Sequence, residues 1–385
     1  MKYPHLVSAI VASIISVSLA GCGSSSPSAP SPTFTALPYA GADFASSYAL
    51  AISPDGKTIG GGSLVSQAET GPVLWVNGKV QVLPFMGPAI PDMVRVASVT
   101  AVSASGVVAG NQGYADLIPI AYYYKAAVWT QIVNPANAAP AITAGAISSD
   151  GNVIVGLIDG NKEAPADDPE RGGYYLDIEA DKFVVIASSY TIDKDCTVNE
   201  DCYTQFSGLS GDGSLAVGSD SYSPGLLEVP IVYELGASSP PVRLALPFNY
   251  QHGRAMKISQ DGKTILGMAF DNLTAAIAVY WDENYQVHVI GSLGPDTHPM
   301  PQTTALAASD KGARIVGTSN NKAFLWEAGG QIADLQDWLT AQGLGSQLKD
   351  WELLTATGIS SDGHQVAGVG IAPGGYTTAF QVYLP

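Results

Sequence analysis

Carboxylates crowd one stretch of this chain. Asp159, Glu163, Asp167, Asp168 and Glu170 fall close together, with Arg171 at the end of the run. A second acidic run, Asp193, Asp195, Glu200 and Asp201, surrounds Cys196 and Cys202. Carboxylates at this density can hold a cation or a basic ligand. The same density also suits a solvated acidic loop, and residue types leave both readings open. Tyrosines lie in neighbouring segments, among them Tyr114, Tyr122, Tyr123, Tyr124, Tyr203 and Tyr222. Their rings could stack on sugars or peptides, or pack where loops meet strands. Asp167, Asp168, Glu170, Tyr122 and Tyr203 are therefore the candidate binding residues.

Other chemistry has weaker footing. His252, His288, His298 and His364 are scattered, and no Gly-x-Ser-x-Gly elbow accompanies them. No catalytic residue is assigned. An enzyme acting on a polysaccharide or peptide stays as the alternative, because paired carboxylates drawn from distant segments leave no local motif. Cys196 and Cys202 lie six positions apart without matching histidines, which favours a disulfide over a metal site in an exported protein. With no phosphate loop, dinucleotide fingerprint or zinc helix, no cofactor and no metal is expected. A formal net charge of −17 speaks against nucleic acid as a partner.

These residues must be positioned by a repeat. The phrase Ile-Ser-x-Asp-Gly, an apolar run and a second glycine recur seven times, with serines at 53, 103, 148, 210, 259, 309 and 360. Ser105 and Lys311 replace the Asp in two copies, while the serine and both glycines persist. Each repeat predicts four strands: one ending at Ile-Ser, one after the Asp-Gly turn, one centred on an aromatic, and a short leucine-tipped one. Third strands are expected at Val73–Trp75, Ala127–Trp129, Tyr174–Tyr175, Val232–Tyr233, Tyr280–Trp281, Phe324–Trp326 and Ala379–Phe380. Fourth strands are expected at Val80–Leu83, Val242–Leu246, Val287–Ile290 and Gln331–Leu335. A period of about fifty residues and four antiparallel strands predict an all-β, closed seven-bladed β-propeller. The chain ends after the third strand of the seventh repeat, and Phe34–Pro38 resembles the missing fourth one. The N-terminal strand is therefore expected to complete the last blade. The one helical signal, Asp337–Gln342 stopped by Gly343, reads as a packing element or a lid. By this scheme the Asp-Gly turns share a structural face, and the irregular loops share the other.

The N-terminus supplies an address. Residues 1–21 carry Lys2 and an apolar stretch from Leu6 to Leu19, the pattern of an export signal. Leu19-Ala20-Gly21-Cys22 resembles the lipobox of bacterial lipoproteins, which implies cleavage before Cys22 and its lipidation. Gly23, where an Asp would favour inner-membrane retention, points the expectation to the outer membrane. Residues 22–33 form a Ser/Pro/Ala tether, and 34–385 the propeller. Membrane contact is expected through the lipid anchor only.

Lys322-Ala323-Phe324-Leu325-Trp326-Glu327-Ala328-Gly329-Gly330-Gln331-Ile332-Ala333-Asp334-Leu335 resembles the HAF-repeat family of bacterial extracellular proteins. The resemblance runs over residues 34–385. It implies an exported repeat protein and brings no catalytic residues. Ile52–Lys57 also resembles the TolB-type propeller repeat, over six residues. The expected function is a non-catalytic, envelope-anchored scaffold that binds a protein or glycan.

Overall fold

The recurring serine sits at the base of each turn. In the third repeat the Gly151 amide donates to the Ser148 carbonyl (3.0 Å), and Ser148 N donates to the Val153 carbonyl (2.9 Å). The Ser148 hydroxyl donates to Asp150 (2.5 Å) and accepts from the Val153 amide (2.9 Å), while Asp150 accepts from the Asn152 amide (2.9 Å). The same serine–aspartate pair recurs at Ser53, Ser210, Ser259 and Ser360. All seven serines are buried. The seven turn glycines have φ between 61° and 86°, a conformation that costs glycine little and other residues more. Each part of the phrase thus has a separate mechanical cause.

The computed structural model describes residues 30–41, 45–87, 89, 93–114, 119–135, 141–159, 172–186, 188, 201–223, 227–271, 275–294 and 302–385. These residues make an all-β fold of antiparallel strands. Repeats four, five and six each form a four-stranded sheet in sequence order. Repeats one to three do the same and are joined edge to edge by single parallel bridges, Thr70 to Val96 and Ile120 to Ile142. The seventh sheet takes Glu352–Ile359, Gln365–Ala372 and Tyr376–Tyr383, and its fourth strand is Thr33–Ala36. No sheet closes on itself among the described residues.

Every first strand carries a β-bulge at the same place. The pairing slips past Leu50, Thr100, Gly145, Ser207, Met256, Leu306 and Thr357, each three residues before the turn serine. The second glycine of the repeat lies opposite. A Cβ on Gly156 would stand 1.9 Å from the Thr143 carbonyl oxygen, and one on Gly267 1.9 Å from that of Arg254. The other five meet the matching carbonyl at 1.8 to 2.5 Å. The bulge presses a carbonyl into the space a side chain would need, so only glycine fits.

Aliphatic and aromatic side chains fill the space between successive sheets. Val217 and Val232 of repeat four pack with Ala255, Ile265, Val279 and Trp281 of repeat five. Corresponding clusters join each of the other consecutive pairs. One more joins the last repeat to the first, with Ala367 and Ala379 against Ala49, Ile59, Val73 and Trp75. Leu37, just past the N-terminal strand, is buried in that cluster. Its amide donates to Ala379 O (2.9 Å), as Leu83 N does to Pro72 O (2.9 Å) and Leu244 N to Pro230 O (2.8 Å). Trp75 donates to Pro38 O (2.8 Å) as Trp281 does to Ala245 O (2.6 Å). The N-terminal strand occupies a fourth-strand position in full.

Three expectations need correction. The third strand of repeat two is Ile120–Lys125, and Val128–Gln131 is the fourth. Ala126 and Ala127 turn between them at φ 52° and 64°, a left-handed pair that sequence normally signals with Asn or Gly. The fourth strands of repeats four and six shrink to Val242–Arg243 and Ala333–Asp334. In repeat six Asp334 caps a helix at Leu335–Leu339 instead, accepting from the Gln336 and Asp337 amides (2.9 and 3.3 Å). That helix starts two residues earlier than expected. It buries Leu335 and Leu339 in the core shared by repeats six and seven, which makes it a packing element.

Leu37→Ala should destabilise the fold by roughly 2–5 kcal/mol, as for buried leucines elsewhere. Thr35→Ala, at an exposed position of the neighbouring strand, should change it by about 0.5 kcal/mol or less. Urea melts of the two variants check this; equal midpoints would remove the N-terminal strand from the folded core.

Candidate functional site

Residues from the first strands of all seven repeats line one cavity of about 100 Å³. The residue two before the turn serine is Ala51, Ala101, Ala146, Gly208, Ala307 or Gly358 in six repeats. The strands come close here. A Cβ on Gly208 would lie 2.8 Å from Lys257 Cα, and one on Gly358 2.8 Å from the Ile52 side chain. In repeat five the position is Lys257. Its side chain is half-buried, and desolvation pushes its pKa down to about 8. Nζ donates to the Gly145 carbonyl of repeat three (3.2 Å). No carboxylate lines the cavity among the described residues; the other lining side chains are aliphatic apart from Thr100, Thr357 and Gln260, and polar groups still make up the larger part of the exposed wall. A lone cation in such walls lacks the ionic partner that normally offsets its lost hydration.

The turns gird one end of these strands. Ala104 N donates to Ser149 O (2.9 Å), Ser149 N to Gly211 O (2.8 Å) and Gly211 N to Gln260 O (2.9 Å). Asp310 N donates to Ser361 O (2.9 Å) and Ser361 N to Pro54 O (2.8 Å). Pro54 has no N–H with which to continue. Between repeats five and six side chains take over: Asp261 N donates to Asp310 Oδ1 (3.2 Å) and Lys311 N to Asp261 Oδ2 (2.9 Å). Burial and the negative charge of Asp261 raise the Asp310 pKa. Three turn aspartates go the other way. Hydrogen bonds from the Ser210 hydroxyl and from Ser214 hold Asp212 below the usual carboxylate range. At Asp55 and Asp362 burial opposes this; bonds from the Lys57 ammonium and the Ser53 hydroxyl outweigh it at Asp55, and bonds from the Ser360 hydroxyl and the His364 amide at Asp362. These carboxylates are committed to their turns.

A polar cluster lies at the other end of repeats four and five. Asp220 is fully buried and accepts from the Thr204 hydroxyl. Glu228 accepts from the Ser219 hydroxyl (2.9 Å) and pairs with Arg254. The register sets Ser221 opposite Glu228 and Val229 opposite Asp220, so the two acids project from opposite faces of their sheet. They do not form an acid–base pair. His252 is buried and stacked on Phe270 (5.5 Å), and its Nδ1 meets no hydrogen-bond partner among the described residues. His288 bonds Asp282 (3.0 Å) and stacks on Tyr280, and His364 Nδ1 bonds the Leu384 carbonyl (2.6 Å). No group of three metal-ligating side chains occurs among the described residues.

Asp167, Asp168, Glu170, Cys22 and Cys196 lie outside the described residues, as do the signal and most of the tether. Cys202 is placed by its backbone in the first strand of repeat four, opposite Tyr222. Tyr203 follows on that strand and is half-buried. Tyr122 is in the third strand of repeat two, 7% exposed, with burial raising its pKa. Gly87 packs beside its hydroxyl, which lies 3.1 Å from where a Cβ there would stand. It offers little surface to a ligand. Lys257 drew no notice in the sequence, although it breaks a register of Ala and Gly that aligning the repeats on their serines displays. No helix among the described residues is long and apolar enough to cross a membrane.

No protein-family model and no curated protein matches the chain. Solved structures do. Oligogalacturonate lyase from Vibrio parahaemolyticus aligns at 9% identity and a TM-score of 0.52, covering 92% of this chain and 98% of that one. An oligogalacturonate lyase in complex with manganese gives 10%, 0.54, 92% and 97%. TolB from Acinetobacter baumannii gives 14% and 0.42 over 88% of this chain, which spans only 63% of TolB. The β-propeller domain of the Trilobed protease from Pyrococcus furiosus gives 10% and 0.48, with 88% and 95% covered. At these identities the likeness is one of fold.

The lowered carboxyl of Asp212 stabilises the folded state above the unfolded aspartate pKa, about 3.9. That stabilisation is lost as pH falls through the lower folded value. Thermal melts should therefore fall more steeply below about pH 4 in the wild type than in Asp212→Asn; parallel acid limbs would count against the turn bonds. Lys257→Met, similar in volume and uncharged, should raise the melting temperature at neutral pH, because it removes a partly desolvated charge without opening a cavity. A lower one would mean that the Gly145 bond outweighs the desolvation.

Proposed function

We propose that this chain is a closed seven-bladed β-propeller of the HAF-repeat type, exported, lipidated at Cys22 and held at the outer membrane. There it serves as a non-catalytic scaffold that binds a protein or glycan of the envelope. The contrast between the two ends of the sheets supports this reading. One end is built from seven nearly identical Ser-x-Asp-Gly turns. At the other, the segments between second and third strands vary from two residues (320–321) to twelve (160–171). Loops that the repeat does not need for its stability are where binding residues can accumulate. Asp167, Asp168 and Glu170 fall in the longest of these segments, and Tyr203 begins near the same end. A disulfide between Cys196 and Cys202 would brace the neighbouring connection. The second reading, a lyase or hydrolase of envelope polysaccharide, draws on the fold shared with oligogalacturonate lyase and would need catalytic groups from these same loops.

Cys22→Ser should move the protein from the membrane to the soluble fraction with its melting temperature unchanged. Retention after a carbonate wash would end the lipoprotein reading. Replacing Asp167, Asp168 and Glu170 together with Ala should leave stability within about 0.5 kcal/mol and weaken partner recovery in envelope pull-downs, most at low salt. Equal recovery at every salt concentration would assign these carboxylates to solvation.

A further inference from the structure

We propose that the central cavity is a binding site for a small monocarboxylate, held by Lys257. This stands apart from any partner at the loop end and does not depend on it. Three observations converge. Six repeats place Ala or Gly at this position, so the repeat itself calls for a small residue, and repeat five inserts the longest cationic stem available. The first strands make room for it through Gly208, whose missing Cβ lets the Lys257 backbone approach. The cavity then contains one positive charge and no negative one among the described residues.

The cavity's chemistry selects the anion. Nζ has three donors and gives one to the Gly145 carbonyl, which leaves two. Gln260 also lines the cavity; its side-chain oxygen accepts from Ser149 Oγ (2.7 Å), and its amide hydrogens remain as donors. The Thr100 and Thr357 hydroxyls donate to the Ala144 and Ala367 carbonyls (3.1 and 3.3 Å) and so have none to give. The two remaining ammonium donors suit the oxygens of a carboxylate. One ammonium matches the charge of a monoanion and leaves a dianion such as phosphate undercompensated. The remaining lining comes from Leu50, Ile147, Leu209, Ile258, Leu306 and Ile359 among others, which favours an anion with a short alkyl tail over a bare halide. A cavity of about 100 Å³ admits a molecule of that size and excludes a polymer.

Other titratable groups stand on the same strands and turns. They are Tyr48, Arg95, Asp201, Cys202, Tyr203, His252, Arg254 and Glu352 on the strands, and the aspartates, Lys57, Lys263, Lys311 and His364 at the turns; none of them is among the residues that line the cavity. Arg254 is already paired with Glu228.

The test titrates butyrate into the full-length protein near neutral pH, followed by calorimetry, with chloride and phosphate as parallel probes. Butyrate should bind saturably at one site and raise the melting temperature, and Lys257→Met should weaken it by about tenfold or more. In the wild type, affinity should also fall as pH rises through about 8, where the ammonium loses its proton. That second readout holds even where the variant does not fold. Absence of butyrate binding, equal binding by Lys257→Met, or an affinity unchanged between pH 7 and 10 would each overturn the proposal. Tighter binding of phosphate or chloride than of butyrate would overturn the assignment to a carboxylate.

Discussion

A carbonyl oxygen pressed against a glycine sets the geometry of this fold. In each repeat a bulge in the first strand turns one carbonyl towards the second strand, where Gly61, Gly110, Gly156, Gly218, Gly267, Gly317 or Gly368 receives it. The bulge strengthens the local twist and bends the strand just before its serine turn. The bent strands can then line a common cavity, and their turns can meet by backbone hydrogen bonds. A side chain at any one of these glycines would undo the contact that aims its strand.

The turn continues the same constraint. Its serine is buried and must satisfy its hydroxyl locally, which it does through the aspartate and the amide five residues on. The repeats that lack the aspartate keep the serine and find other partners. Ser103 donates to Val107 O (2.7 Å), and Ser309 donates to Arg314 O (3.4 Å). The serine is therefore the structural centre of the turn, and the aspartate reinforces it. This explains why acidic side chains can recur in five of the repeats and yet be committed to their turns.

Against such regularity, departures carry information. Most departures relieve nothing and cost little, as where Pro54 interrupts the girdle of turn hydrogen bonds. Lys257 is different, because it places a half-buried charge without an ionic partner where every other repeat has the smallest side chains. A charge held at a cost to stability is the signature of a site shaped by something other than packing. The buried acids Asp220 and Glu228 look more like chemistry by residue type, yet each has partners on its own face of the sheet.

The sequence by itself determined the repeat, the strand order and the role of Thr33–Ala36 as a fourth strand. These follow from local rules: glycine at positive φ, period-two apolar runs, and a leucine that must be buried. Only the tertiary structure decided which tyrosines are covered, because the Ala126–Ala127 turn carries no sequence signal and shifted Tyr122 from an expected loop into a strand. Only the structure exposed the bulges, since an extra residue changes pairing without changing composition. The cavity around Lys257 was hidden for the same reason. It is assembled from seven strands separated by some fifty residues each, and no window along the chain contains more than one of them.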